Sequence, residues 1–114
     1  MDDCLFCRIV NREIPSRIAY EDDLVLGFYD IEPRAPVHVL LIPKVHIASF
    51  NDLGSDHKDL MGYLTGLIPV VADKLGIKES GYRVIVNCGK DSGQEVDHLH
   101  YHILGGRAME NSFG

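Results

Sequence analysis

Basic residues are scarce in this 114-residue chain: 11 lysines and arginines stand against 17 aspartates and glutamates, a formal charge of −6. Binding along a nucleic-acid backbone depends on neutralising phosphates, so this balance argues against DNA or RNA while leaving room for a single nucleotide. No apolar run approaches the ~20 residues that a membrane-spanning helix needs, so no membrane association is expected. Cysteine is sparse and odd in number, at three. That suits reduced thiols better than a disulfide framework. Met1-Asp2-Asp3-Cys4 lacks the basic and apolar regions of a secretory leader, so the expected location is cytoplasmic. Internal repeats, linkers and low-complexity segments are missing as well. What remains is an ordinary globular composition, read as one domain over residues 1–114, small enough that pairing with a second copy would help bury surface.

Along the chain, Cys4 to Val10 reads as a turn or two of helix, closed by the stretch ending at Pro15. Ile18–Glu21 and Leu24–Asp30 read as a hairpin turning at Glu21-Asp22-Asp23, followed by a proline-punctuated loop from Ile31 to Pro36. Val37 to Ile42 is a β-branched and aliphatic run, expected as a central strand. The long helix is predicted from Asp56 to Leu75, because Leu60, Leu64, Leu67, Ile68, Val71 and Leu75 recur at helical steps. Ser55 or Asp56 is expected to cap its start and Gly76 its end. Pro69 is expected to cost one hydrogen bond and kink it. Tyr82 to Asn87 is a further strand, and the loop from Cys88 to Gln94 leads into the last one. Five short strands, one long helix and one short helix predict an α+β fold with an antiparallel sheet.

That last strand carries His98-Leu99-His100-Tyr101-His102, then Ile103-Leu104-Gly105-Gly106-Arg107. Alternation at period two puts the three imidazoles on one pleated face, spaced by roughly 6.6 Å. A row of three is hard to explain as packing. It either binds a metal ion or holds a nucleophilic imidazole with helpers beside it. A neutral histidine already has one free lone pair, and needs only an acceptor such as a backbone carbonyl on its other nitrogen. His100, flanked on both sides, is the position that other groups can reach.

With the triad, its spacers and Gly105-Gly106-Arg107 in view, the chain resembles the histidine-triad (HIT) family of nucleotide hydrolases, most closely the nucleoside phosphoramidase branch. The likeness runs from about Cys4 to Met109. It implies a sheet continued across a homodimer and a purine nucleotide (AMP or GMP type) as ligand. It implies His100 as nucleophile toward the α-phosphorus of a phosphoramidate, with a nucleotidyl-histidine that water hydrolyses. His102 is then the nearest phosphate donor and His38 a supporting residue, although His38 also reads as a satisfied core histidine. The loop ending in Gly93, Gln94 and Glu95 is implied to contact phosphate. Asp30, on its own a strand-ending turn aspartate, is implied to accept ribose hydroxyls, with Asn87 as a second polar group. Phe6, Ile9, Phe28, Ile31 and Leu40, and more weakly Leu5, read as core and are implied to line a purine slot.

Cys4-x-x-Cys7 has zinc-ligand spacing, but two ligands do not make a site; two buried thiols or a redox pair are the other readings. His46 and His98 are the best remaining ligands, and some relatives with this cysteine pair hold a structural zinc, so a Cys2His2 zinc is expected. Catalysis needs no cofactor in this reading. His57 is expected to face solvent. Asp97 replaces a residue that is commonly large and apolar in relatives, and the tail after Arg107 leaves the leaving group open. The rivals are a dinucleoside polyphosphate hydrolase with the same nucleophile, and a zinc-stabilised nucleotide-binding module without essential catalysis.

Overall fold

The computed structural model describes residues 3–113. Helix α1 spans Leu5–Val10; the strands are β1 (Ile18–Glu21), β2 (Val25–Tyr29), β3 (Val37–Pro43), β4 (Tyr82–Val86) and β5 (Tyr101–Gly105), with helix α2 (Lys58–Lys74) between β3 and β4. The sheet order is β1-β2-β3-β5-β4, and every neighbouring pair is antiparallel. The expected α+β fold is what forms. β3 is central because Val39, Leu41 and Ile42 are fully buried, a run suited to a strand covered on both faces.

Strand alternation sorts the core into two layers. Val25, Leu41, Tyr101 and Ile103 pack under α2 with Leu64, Ile68 and Val71. Leu26, Phe28, Leu40 and Ile42 face the other way, against Phe6 and Ile9 of α1. His38 and His102 have the parity of Leu40, so both belong to the α1 side. Register brings them together, because His38 pairs with Leu104 and Leu40 with His102, two steps apart on one face.

Three local expectations change. The long helix begins at Lys58, after a 3-10 turn over Ser55–His57. Neither Ser55 nor Asp56 caps it; instead the Gly54 N–H donates to His57 Nδ1 at 2.9 Å. His57 is thus engaged by its ring rather than simply solvated. The far end is as expected: Gly76 adopts φ +76°, and Ile77 N–H donates to Ala72 O at 3.0 Å, a left-handed helix stop. Pro69 stands on the exposed face of a helix that runs through it. Most consequentially, β5 starts at Tyr101, so His98 and His100 precede the strand. His98 N–H donates to Val96 O and Leu99 N–H to Ile47 O. That turn ends the regular strand, yet all three imidazoles stay on the α1 side: Phe6 meets the rings of His98 and His100 at centroid distances of 6.0 and 5.1 Å, and His100 meets His102 at 5.0 Å.

Gly106 closes the molecule behind the triad. Its φ is +91°, and a Cβ there would stand 2.9 Å from Pro36 Cβ. Both the left-handed backbone and the contact oppose a side chain, so Gly106→Ala is expected to cost about 2–3 kcal/mol. Denaturant unfolding checks this; a loss below about 0.5 kcal/mol would contradict it.

Candidate active site

His100 is 6% exposed. Its Nδ1 lies 2.7 Å from the carbonyl of His98. A carbonyl only accepts, so Nδ1 carries the proton and Nε2 holds the lone pair. Phe6 meets the ring edge-on, with centroids 5.1 Å apart at 85°, which fixes the ring plane. Among the described residues Nε2 has no hydrogen-bond partner, and the ring forms part of a cavity wall.

A second chain of bonds sets two more tautomers. The Arg34 N–H donates to His38 Nδ1 at 3.1 Å, so the His38 proton sits on Nε2. That nitrogen lies 2.9 Å from His102 Nδ1 and 3.5 Å from Asp30 Oδ2. His38 therefore donates to His102 Nδ1, and the His102 proton is left on Nε2, the free donor position of that ring. Asp30 is held in turn by the Glu32 N–H, which donates to Oδ1 at 2.8 Å. Asp30, His38 and His102 bring three potential ligand atoms within 4.8 Å. The imidazole pair shares a proton at hydrogen-bond distance, though, which occupies the lone pair a metal would need.

Burial, and then the neighbouring His100 and His38, push the His102 imidazole down to about 4. His38 is also lowered, by burial, with Asp30 opposing. Both rings are neutral at pH 7. An unfolded His102 titrates near 6.5, so between that pH and about 4 the unfolded chain binds more protons than the folded one. Stability therefore falls as pH drops through this window. His102→Asn is expected to flatten the fall by several degrees in thermal scans from pH 7 to 4.5; an unchanged slope would refute the assignment.

The cavity, of about 270 Å³, is lined by Leu5, Phe6, Phe28, Asp30, Ile31, His38, Leu40, Asn87, Gly93, Glu95, His100 and His102. All twelve were expected at a site from the sequence. Two expected residues do not line it. Ile9 is buried in the layer behind Phe6 and Phe28. Gln94 spends its side chain on the loop: Oε1 accepts from Gly89 N–H at 2.9 Å, while Nε2 donates to Ala48 O and Val96 O. It braces the turn in which Gly93 takes φ +87°. Tyr29, Glu32, Arg34 and Val96 also line the cavity and were missed. For Glu32 and Arg34 the available signal was their place in the short loop between Asp30 and His38.

His98 lies on the same side but faces the two cysteines at α1 instead of the cavity. Its Nε2 donates to Pro43 O at 2.8 Å, so Nδ1 holds a lone pair. That atom lies 3.3 Å from Cys4 Sγ and 3.5 Å from Cys7 Sγ, while His46 Nδ1 lies 3.3 Å from Cys7 Sγ. The four ligand atoms fall within 4.8 Å of one another. Tetrahedral zinc bonds of about 2.3 Å to sulfur and 2.0 Å to nitrogen would separate such atoms by about 3.5 Å. The donor set and its spacing fit that ion. Burial, and then Cys4 beside it, push the Cys7 thiol up to about 11.

Comparison with known proteins gives a consistent picture. The HIT domain matches residues 11–109. A purine nucleoside phosphoramidase of Escherichia coli K12 is 44% identical over 108 residues, covering 95% of this chain and 91% of that protein. A histidine triad protein from Clostridium difficile is 47% identical with a TM-score of 0.94, covering 98% of this chain and 97% of that one. A HIT family hydrolase from Legionella pneumophila is 44% identical with a TM-score of 0.95, covering 98% and 100%.

Proposed function

Because this chain belongs to the HIT domain family, we propose that it hydrolyses purine nucleoside 5′-phosphoramidates through a covalent nucleotidyl intermediate on His100. One observation carries the reading: a nine-tenths buried imidazole whose Nδ1–H is tied to a carbonyl while Nε2, among the described residues, stands unpartnered at a cavity. Such a ring is a nucleophile that needs no separate base. Nε2 attacks the α-phosphorus, the amine departs, and water then cleaves the P–N bond to the ring. The His102 Nε2–H, aligned through His38 by the Arg34 amide, donates to a phosphoryl oxygen as charge builds there. Asp30 accepts from the ribose hydroxyls, and Phe6, Phe28, Leu40 and the 93% exposed Ile31 offer apolar faces to a purine.

Charge favours this reading over polyphosphate cleavage. Asp30, Glu32 and Glu95 line the cavity against one cation, Arg34. A phosphoramidate brings a single phosphoryl charge, whereas a dinucleoside polyphosphate brings several into a negative wall. In direct competition an adenosine phosphoramidate is expected to be turned over at least about tenfold faster than a diadenosine polyphosphate; the reverse order would overturn the assignment.

Two further parts belong to the same proposal. Cys4, Cys7, His46 and His98 hold a structural zinc, a closed four-ligand site that fastens α1 to the sheet and activates no water. The chain also pairs with a second copy along β4. That strand lies at the sheet edge and leaves Val84 39% and Ile85 37% exposed, an open edge that a partner strand would cover.

A further inference from the structure

From the cavity beside the reaction centre we infer that this enzyme selects leaving amines that carry a second, positively charged group, and that Glu95 and Asp97 make the selection. The inference rests on the phosphoramidase reading and adds the chemistry of the leaving group to it.

The His100 cavity has a neighbour of about 720 Å³, lined by Asp3, Cys4, Leu5, His46, Glu95, Val96 and Asp97. Leu5, Glu95 and Val96 line both, so the two spaces meet at that seam. Much of the rest of the first cavity is walled by Phe6, β2, β3 and the loop after β2, whose side chains would face the nucleoside, with Asn87, Gly93, His100 and His102 completing it. The seam is where a group released from phosphorus finds further room. His100 supplies the second observation: it is a nine-tenths buried ring in the wall of the first cavity, its free nitrogen has no partner among the described residues, and a ligand is therefore expected in that cavity, which the seam joins to its neighbour.

Among the described residues the larger cavity has three carboxylates and neither lysine nor arginine in its lining. Among the described residues, Asp3, Glu95 and Asp97 take part in none of the ion pairs formed elsewhere in the chain. A zinc ion held by two thiolates and two neutral imidazoles would add no net charge to this wall. In the reaction, Nε2 forms a bond to phosphorus as the bond from phosphorus to the amine breaks. The amine leaves with that electron pair and takes up one proton from solvent; water's attack on the adduct returns one proton and frees His100. A cationic group further along the amine is drawn to Glu95 and Asp97 throughout.

The test compares two adenosine 5′-phosphoramidates of equal reach, one on 1,6-diaminohexane and one on heptylamine. For the wild-type chain kcat/KM is expected to be about tenfold higher for the diamine compound, as suits partly solvated ion pairing. The preference is expected to fall toward one as ionic strength is raised to about 1 M, where screening acts over about 3 Å. In Glu95→Gln and Asp97→Asn the ratio is expected to drop by severalfold, and in the double variant to about one. The ratio is the readout, so a general loss of rate does not decide it; if the variants lose all turnover, the wild-type salt series decides. Equal turnover of the two compounds by wild type, or an undiminished ratio in the double variant, overturns the inference and leaves the phosphoramidase reading standing. If neither compound is hydrolysed, that reading has failed and the selection fails with it.

Discussion

Replacing His100 with alanine is expected to lower phosphoramidate turnover by at least about 10⁴-fold, the scale of losing a nucleophile that other groups only assist. Alanine also leaves the His98 carbonyl without its donor in a buried setting, at a cost of about 1–3 kcal/mol. His100→Asn separates the two effects. Its amide N–H reaches the position of Nδ1 and keeps the bond to His98 O, yet nothing replaces Nε2. We expect His100→Asn to fold with near wild-type stability, to bind AMP, and to be as inactive as the alanine variant. Mass spectrometry of enzyme quenched during turnover of a slow substrate should find the nucleotidyl group on the peptide containing His100 in wild type and on no peptide in either variant. Turnover within tenfold of wild type in His100→Asn would end the covalent mechanism. A nucleotide-binding module without catalysis would show no adduct and little change in any variant.

The second large effect concerns the metal. Elemental analysis is expected to find one zinc per chain, and Cys7→Ser or His98→Gln to abolish it. Zinc binding contributes about 10–16 kcal/mol to folding in small zinc peptides. In this chain the sheet and α2 form a core that does not include the cluster, so only part of that sum is expected to appear. A loss of about 3–5 kcal/mol, or on the order of 10–20 °C in Tm, is reasonable. The reason lies in what the ligands join. Cys4 caps α1 and Cys7 lies within it, His46 follows β3, and His98 precedes β5. One ion would tie the short helix to two strands. Because Phe6 of that helix meets the His100 ring, losing the ion is expected to raise KM and lower kcat together, although no ligand touches substrate. Protein free of zinc with unchanged Tm would refute the structural role.

Much of this is legible in the sequence. The aliphatic run at β3, the apolar stripe of α2 and the Gly76 stop are local signals, and each formed where expected. The spacing Cys4-x-x-Cys7 and the choice of His46 and His98 as companions named a set of side chains whose ligand atoms do converge. Where local rules failed, a competing hydrogen bond had intervened. Gln94 looked like a ligand contact because of its loop, but its amide was claimed by Ala48 O, 46 residues away. Asp56 looked like a helix cap, but the ring of His57 took the Gly54 amide.

The sequence by itself determined which chemistry was available: three imidazoles within the five residues 98–102, a pair of thiols at Cys4 and Cys7, and acidic groups in excess. Only the tertiary structure decided how these were divided. Period two predicts a common side for the three rings, which they keep, but the turn at Val96–His98 changes what the first of them faces. His98 was sent to the thiols and His100 to the cavity. The protonation pattern was likewise beyond local reading, since His38 and His102 are 64 residues apart and meet only through the pairing of β3 with β5. Residue type sets what a group can donate or accept, but sheet register sets which partner it finds.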